Sequence, residues 1–192
     1  IILGCIAGLC KDKLPDAIIR VFSSIGISMP GYVIASGLMI FLAVNLKVLP
    51  VNYNKPGGWV MPMLTLAIYP TSYLTRLTRA SILEVMNQDY LRTERAKGMS
   101  EFGVVFIHAL KNSLIRVITY LGPLTASILT GGFVAESVFS VPGLGRYFVS
   151  SISSRDYTMI MGVTIFYSAL IVFMNLICDI LYKIVDPRIQ LD

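Results

Sequence analysis

The apolar residues of this 192-residue chain are grouped into long runs with almost no charge. Four of these runs are long enough to cross a bilayer as a helix, which needs about 20 residues. The predicted spans are residues 21–46, 59–80, 117–135 and 157–180. Because the runs are continuous and do not alternate with polar residues, they predict helices rather than the strands of a membrane barrel. The predicted fold class is therefore all-α, a polytopic transmembrane helical bundle.

A shorter apolar stretch opens the chain. Residues 1–10 carry no charge, but they are only about half as long as a spanning helix needs to be, and the first residue is Ile rather than Met. We expect this stretch to be the remnant of a span. The chain is then expected to be the C-terminal fragment of a longer protein, with four full spans and part of one.

The composition supports a membrane protein and excludes other classes. Hydrophobic residues make up 55% of the chain and charged residues 14%, against about 25% charged in ordinary soluble domains. A disordered chain would be poor in apolar residues, and three cysteines are too few for a disulfide framework. A water-facing soluble enzyme is disfavoured for the same lack of charge.

The basic residues predict the orientation in the membrane. Of the 16 Lys and Arg residues, four lie in residues 47–58 and 136–156; the other twelve lie in residues 11–20, in 76–116 and after residue 178. Lys and Arg collect on the cytoplasmic side, so the 76–116 segment and the C-terminus are predicted to be cytoplasmic. The net charge of +5 is thus interpreted as a signal of topology, with the lipid bilayer as partner and no nucleic acid.

Residues 84–116 form a cytoplasmic loop that is long enough to carry structure and a function of its own. We predict a short helix over residues 90–97, with Asp89 as its N-cap and Gly98 in the left-handed position after its end. Ser100 is predicted to cap a second helix, which lies along the membrane surface or against the bundle. Its apolar face is predicted to hold Phe102, Val105, Phe106, Ala109, Leu110 and Ser113, and its opposite face Glu101, Val104, His108, Lys111 and Asn112.

One side of the short helix is basic, and the other carries side chains of modest size. The basic side holds Arg92, Arg95 and Lys97, and the other side holds Tyr90, Thr93 and Ala96. Such a helix can dock in a groove of a partner protein. It can equally be a surface loop held by anionic lipid headgroups, which attract basic segments. The residues alone leave both interpretations open.

Prolines are expected to interrupt several helices, and glycines are expected to let one helix pack closely on another. Pro30 with Gly31, Pro62 and Pro70 are expected to bend or break their helices. Gly4 and Gly8 put small residues on one helix face and predict close contact with another helix.

The segment from Glu136 to Arg146 is predicted to be a hairpin on the outer side of the membrane. Pro142, Gly143 and Gly145 favour a turn, with Phe139 packed beside it. Glu136 is predicted to have a structural role, either pairing with Arg146 or capping a helix. Contact with an amine of a transported solute is the alternative.

No catalytic or metal-binding motif accounts for these features. His108 is the only histidine, and a metal site needs several ligands. The chain has no nucleotide-binding G-x-x-x-x-G-K-[ST] and no H-E-x-x-H or G-x-S-x-G motif. We therefore expect neither an enzyme nor a metal protein.

Four stretches together carry a resemblance to a known family. They are the Asp89–Gly98 segment followed by residues 108–112, the Arg76–Ser81 segment, the Glu136–Gly145 segment with residues 155–157 after it, and Asp186–Arg188. In this order they resemble the permeases of binding-protein-dependent ABC importers, especially the dipeptide, oligopeptide and nickel branch. Glu94, Arg116 and Val141 depart from the usual residues of that branch without removing the docking loop.

The resemblance implies roles for particular residues within a type I permease fold. The short helix would couple the chain to a cytoplasmic ATPase, and the outer loop would be a re-entrant scoop at the outer gate. The coupling residues would be Asp89, Tyr90, Arg92, Thr93, Glu94, Arg95, Ala96, Lys97, Gly98 and His108. The gate residues would be Glu136, Phe139, Pro142, Gly143 and Gly145.

The resemblance also implies a function. The chain would be a multi-pass, non-enzymatic permease subunit in a bacterial or archaeal plasma membrane, working with a second permease, two ATP-binding subunits and an extracytoplasmic solute-binding protein. The chain would need no cofactor, because ATP would be bound by the partner subunits. The expected solute is a dipeptide or oligopeptide, with nickel or a metal chelate as the alternative.

A secondary transporter driven by an ion gradient is the alternative of another class. It would be expected to hold carboxylates within its spans and to show an internal repeat. The charge-free stretches within the predicted spans, residues 21–46, 59–75, 117–135 and 157–178, hold no Asp or Glu.

Overall fold

The computed structural model describes residues 1–129 and 132–185. Every regular element in this part of the chain is a helix and none is a strand, which confirms the predicted all-α class. The side chain of Arg116 and the closing Asp186–Arg188 stretch lie outside the described residues.

Short turns and irregular segments separate most of the helices, and α-helix changes to π-helix within two continuous stretches. In chain order the elements are α1 (Ile2–Leu9), α2 (Leu14–Ser28), α3 (Gly31–Leu38), the π-helical segment π1 (Met39–Asn45), α4 (Val60–Met86), α5 (Asp89–Ala96), α6 (Glu101–Gly103), the π-helical segment π2 (Val104–Ala109), α7 (Leu110–Leu129), α8 (Phe133–Val138), α9 (Leu144–Ser154) and α10 (Tyr157–Val185).

By length and composition, two helical stretches of the described chain can cross a membrane, Glu101–Thr125 and Tyr157–Ile177. The number rises to three if Leu14–Ser28 and Gly31–Asn45 form one broken span. α4 is long enough but is not among them, because Thr, Ser and Tyr side chains dilute its apolar residues.

The boundaries differ from the predicted spans in informative ways. The 21–46 run is broken where α2 ends at Ser28 and α3 begins at Gly31, with Pro30 as its N-cap. This is the interruption expected of Pro30. The 117–135 run also ends early, since α7 stops at Leu129 and the short α8 begins at Phe133.

The other two prolines, Pro62 and Pro70, do not break α4. Pro62 lies in the first turn of α4, where a backbone N–H has no helical partner to lose. Pro70 lies inside α4, and the helix continues through it to Met86.

One compact unit comprises Ile1–Ser28 and Pro70–Leu121. Within it, buried Gly4 of α1 lies directly on α4. A Cβ atom added to Gly4 would lie 2.5 Å from Thr78 Cβ and 2.6 Å from the backbone oxygen of Thr75. At Gly8 the added atom would lie 2.9 Å from Ile82. The close helix contact predicted from Gly4 and Gly8 is therefore confirmed.

The α4 side of this contact is polar but satisfied. The hydroxyl of Thr75 donates to the carbonyl oxygen of Thr71 at 2.7 Å, and that of Thr78 donates to Leu74 at 2.7 Å. Bonding to the preceding helical turn lets a small polar side chain be buried without an unpaired donor. Small residues on both sides allow the two backbones to approach closely.

The second compact unit comprises Met29–Tyr69 and the residues from Gly122 onward. Its buried apolar cluster consists of Ala35, Met61, Ala135 and Phe139. Beside the cluster, the ring of Phe133 lies 5.2 Å from that of Phe148 and 5.4 Å, edge-on, from that of Tyr167. These rings join α8, α9 and α10.

α10 carries its apolar side chains outward. Ile165 is 69% exposed and Val172 is 68% exposed, although the helix is long and strongly apolar. An exposed apolar helix of this length is unfavourable in water and suited to lipid.

We predict that Gly4→Ala lowers thermal stability in detergent, because its Cβ would meet Thr75 and Thr78. Overpacking of this kind costs about 1–3 kcal/mol. Gly162→Ala is the matched control, since its Cβ would meet no atom within 4 Å. A melting temperature for Gly4→Ala equal to that of the control would contradict the observed contact.

Candidate functional site

The loop after α4 folds into the predicted short helix, but its start differs from the prediction. Gln88, with φ −80° and ψ 145°, is the N-cap, and Asp89 is the first helical residue. The assignment of Asp89 as N-cap is therefore wrong. An aspartate in the first turn is stabilised by the positive end of the helix whether or not it is the cap, so its presence does not locate the boundary to one residue.

Leu91 anchors α5 to the rest of the first unit. Its side chain is completely buried, in a cluster with Val85 of α4 and with Val104 and Ala109 of π2. Full burial of a leucine contributes about 1.5–3 kcal/mol. The short helix is thus attached at once to the helix before it and to the helix after it.

Tyr90 adds a polar contact to this anchor. It packs beside the cluster, and the Asn112 side-chain amide donates to its hydroxyl oxygen at 2.7 Å. Tyr90 is therefore turned toward α7. The prediction grouped it with Thr93 and Ala96, but it does not share their exposed face.

Two ion pairs neutralise charges on α5. Arg95 Nε donates to Glu101 Oε1 at 2.7 Å, and Lys97 Nζ donates to Glu94 Oε1 at 2.9 Å. The hydrogen bond from Lys97 lowers the pKa of Glu94, and the hydrogen bond to Glu101 raises the pKa of Arg95. Glu94 therefore faces Lys97 and adds little net charge to the outward surface.

The outward face of α5 is formed by Asp89, Arg92, Thr93 and Ala96, all of which are exposed. We call these four residues the α5 face. They lie opposite Leu91 because positions three, four and seven residues apart share one side of a helix. The face has a small residue at its C-terminal end and a weak 3.4 Å pair between Arg92 and Asp89, so a partner can approach it closely.

The end of α5 is closed by a glycine motif. Gly98 has φ +86°, which confirms the predicted left-handed residue. Its N–H donates to the carbonyl oxygen of Arg95 at 3.0 Å, and the N–H of Met99 donates to Glu94 at 3.3 Å. This pair of bonds is the Schellman arrangement, and Met99 then packs beside the cluster around Leu91.

The next helix begins at the predicted residue, but its buried residues differ from those of the predicted apolar face. Ser100 accepts a hydrogen bond from the N–H of Gly103, which confirms the cap. Val104, placed on the polar face by the prediction, is fully buried, whereas Phe102 and Phe106 are exposed and stack with their centroids 4.4 Å apart.

Val104 is therefore buried although the prediction placed it on the opposite face, and Ala109 and Ser113 of the predicted apolar face are buried as well. The reason is π2, whose wider turns shift the side-chain phase away from the 3.6-residue period that the prediction assumed. His108 lies within π2, half-buried, near the Glu94 carboxylate.

The segment from Glu136 to Arg146, predicted to lie on the outer side, contains the end of one helix and the start of another, joined by a turn. α8 ends at Val138 and α9 begins at Leu144, with Pro142 in the turn between them. Glu136 Oε2 accepts a hydrogen bond from the backbone N–H of Arg146 at 3.1 Å. Of the two structural roles predicted for Glu136, helix capping is the one observed.

Two glycines make room for this carboxylate. A Cβ added to Gly143 would collide with the carboxylate of Glu136, and one added to Gly145 would lie 2.7 Å from the Phe133 ring and 2.9 Å from Glu136 Oε2. The guanidinium of Arg146 donates instead to the carbonyl oxygen of Ser140, at 3.1 Å. Glu136, Gly143 and Gly145 thus form one turn unit, with Phe139 buried beneath it.

The first unit contains a buried ion pair, between Arg79 and Asp16, that was not predicted from the sequence. Arg79 donates to Asp16 twice, from Nε to Oδ1 at 2.6 Å and from Nη2 to Oδ2 at 2.7 Å. The Asp12 N–H also donates to Asp16 Oδ2, at 3.0 Å. The signal available was a single carboxylate in the first turn of a largely apolar helix, since such a charge needs a partner when it is buried.

Comparison with known families places this helical membrane chain in a transport class. The model of the family described as "binding-protein-dependent transport system inner membrane component" matches residues 1–191. The chain belongs to this family.

Within this family, the chain is similar to permeases of dipeptide and oligopeptide transport systems. The chain is 46% identical over its whole length to the dipeptide transport system permease protein DppB of Bacillus subtilis (strain 168), and covers 62% of that protein. It is 39% identical over 99% of its length to DppB of Lactococcus lactis subsp. cremoris (strain MG1363), covering 64%.

It is also 38% identical over 97% of its length to the oligopeptide transport system permease protein OppB of Haemophilus influenzae (strain ATCC 51907 / DSM 11121 / KW20 / Rd), covering 62%. The chain thus spans a little under two thirds of each of these relatives.

If α5 is the coupling helix that the resemblance implies, Gly98→Val is predicted to uncouple ATP hydrolysis from uptake. No atom lies within 4 Å of a Cβ at this position, so the effect comes from the left-handed backbone, which costs an L-residue about 1–2 kcal/mol. Gly98→Asn is the matched control, because Asn tolerates this conformation. Uptake and hydrolysis are measured together in proteoliposomes; unchanged uptake per ATP in Gly98→Val would refute the role of the cap.

We predict that Glu136→Ala and Gly143→Ala each lower stability by about 1 kcal/mol, the usual effect of losing a helix cap. Both changes separate the same carboxylate from the same N–H group. The double variant should therefore lose about as much as either single variant. Thermal melting in detergent measures this, and additive losses would show that the two residues act independently.

Proposed function

We propose that this chain is the membrane-spanning permease subunit of an ATP-driven importer of dipeptides or oligopeptides. The similarity to dipeptide and oligopeptide permeases supports a peptide as the solute, and favours it over the nickel or metal-chelate alternative. The family supports the import of a solute delivered by a binding protein.

The observation that carries the proposal is the anchoring of α5. Leu91 holds the helix against both α4 and π2. The link from α5 to α6 is ordered as well, by the Gly98 motif at the end of α5 and by the Ser100 cap at the start of α6. A rigid helix joined to two others can transmit a displacement that a flexible loop would absorb. The α5 face is left exposed for the component that moves it.

In the proposed cycle this component is a cytoplasmic ATPase. Each of two permease subunits would seat its α5 face in a cleft of one ATPase subunit. Closure of the ATPase pair on ATP would bring the two α5 helices together. The movement would pass through the Leu91 cluster into α4 and α7, and would change the side of the membrane to which the pathway opens.

The chemistry of the α5 face fits a cleft with limited space. Ala96 and Thr93 are small, so a partner surface can lie against the helix itself. Arg92 has an exposed guanidinium, 77% accessible, that can pair with a carboxylate of the cleft. The exposed Phe102 and Phe106 stack lies beyond Glu101, outside this face.

On the outer side, the proposed partner is a solute-binding protein. The turn unit of Glu136, Gly143 and Gly145 would hold α9 in place near the mouth of the pathway. Glu136 would act there as a structural residue, since its carboxylate caps α9.

We predict that Ala96→Trp blocks assembly with the ATPase subunits. The indole would project from the α5 face, and overfilling a packed contact costs about 1–3 kcal/mol, enough to lower affinity roughly 5- to 150-fold. The test is co-purification of the complete permease complex from membranes, followed by measurement of solute-stimulated ATP hydrolysis.

Ala96→Ser is the matched control, because it changes polarity with almost no added volume and should assemble normally. A second control is Ile107→Trp, which places the same bulk on an exposed position of π2. Recovery of the intact complex with Ala96→Trp would contradict the proposed docking face, and loss of the complex with both Trp variants would show that bulk anywhere on the loop has this effect.

A further inference from the structure

A cavity in the first unit lies between α2 and the second half of α4. It has a volume of about 210 Å³, and its polar lining consists of Arg20, Ser23, Ser24, Thr75, Arg76 and Arg79. Among the residues that the structure describes, no acidic side chain lines it. Three guanidinium groups around one small cavity favour an anionic ligand.

The charges in this cavity are not balanced. Arg79 is neutralised by its bidentate bond to buried Asp16. Among the described residues, Arg20 and Arg76 have no ion pair or hydrogen bond from their side chains. The cavity therefore keeps two positive charges that a ligand can satisfy.

The hydroxyl groups add a second kind of contact. Ser23 donates to the carbonyl oxygen of Ile19 at 2.7 Å, and Thr75 donates to Thr71 at 2.7 Å. Their protons are used, but their oxygens can still accept from a hydroxyl group of a ligand. An anion that also carries hydroxyl groups would satisfy both the guanidinium groups and these oxygens.

An apolar groove continues from the cavity. It is lined by Ile27, Tyr73, Leu77 and Ala80, and it shares Arg76 with the cavity. Its volume is about 260 Å³. A cavity lined by three arginines and an apolar groove that meet at Arg76 match a molecule with an anionic head and a hydrocarbon chain.

The position along the predicted topology agrees with such a ligand. Arg20 and Arg76 belong to the segments whose basic residues predict the cytoplasmic side, where anionic lipids attract Lys and Arg. Basic pockets between membrane helices on that side are suited to lipid headgroups.

We propose that α2 and α4 form a binding site for an anionic phospholipid, with its phosphodiester held by Arg20 and Arg76 and an acyl chain in the groove at Leu77 and Ala80. The bound lipid bridges α2 to α4, the helix that leads directly into α5. None of the residues that line the cavity and the groove belongs to the α5 face.

The test compares phosphatidylglycerol with phosphatidylcholine of the same chain length, added to the purified protein in detergent. Thermal melting and native mass spectrometry measure stabilisation and retained lipid. We expect phosphatidylglycerol to raise the melting temperature further and to be retained preferentially. Arg20→Gln/Arg76→Gln should lower its retention roughly tenfold, since each basic residue contributes appreciably to anionic-lipid binding.

The matched control is Lys13→Gln/Lys111→Gln, which removes the same charge from the predicted cytoplasmic side but leaves the cavity intact. It should keep the preference. Ala80→Trp, which fills only the groove, should reduce retention while Arg20 and Arg76 remain. Equal retention of both lipids, or equal losses in the two double variants, would overturn the proposal.

Two further measurements distinguish binding of a lipid from binding of a soluble anion. Inorganic phosphate and glycerol 3-phosphate carry the head chemistry without the chain. If either stabilises the protein as much as phosphatidylglycerol does, the site binds a free phosphate and the lipid proposal is wrong. If neither does, and Ala80→Trp loses the effect, the groove is part of the site.

Discussion

The burial of Leu91 between α4 and π2 is the contact on which the proposed coupling depends. α5 is only eight residues long, and an isolated helix of that length is not stable in water. Its order comes from one leucine in an apolar cluster, from a glycine motif at its end and from two ion pairs along its sides. The same arrangement leaves the opposite face exposed. Stability and access to a partner are thus provided by opposite sides of one short helix.

Four carboxylates of the chain also stabilise particular elements of the fold. Asp16 is paired with Arg79, Glu94 with Lys97 and Glu101 with Arg95, while Glu136 caps α9. Each acidic group in this set holds an element of the fold in place. Arg20 and Arg76, which have no ion pair with an acidic side chain in the described structure, line the same cavity.

Features determined by local chemistry could be predicted from the sequence. Gly98, Ser100 and the Gly4 and Gly8 face depend on residues within one or two helical turns, and they are found where they were expected. The N-cap was misplaced by one residue, because Asp89 is favourable on either side of the boundary. The pairing of Asp16 with Arg79 could not be predicted, since 63 residues separate them and only the packing of α2 on α4 brings them together.

The π-helical segment π2 explains the remaining difference and has a consequence for how this loop tolerates change. A π-helical turn in an α-helix is equivalent to one inserted residue. Deleting one residue from Val104–Ala109 would restore ordinary helical winding while keeping the flanking turns in register. The same deletion a few residues later would rotate everything beyond it by about 100°, and would turn Ser113 away from its buried position. Single-residue length variation is therefore accommodated in this segment and excluded from the start of α7.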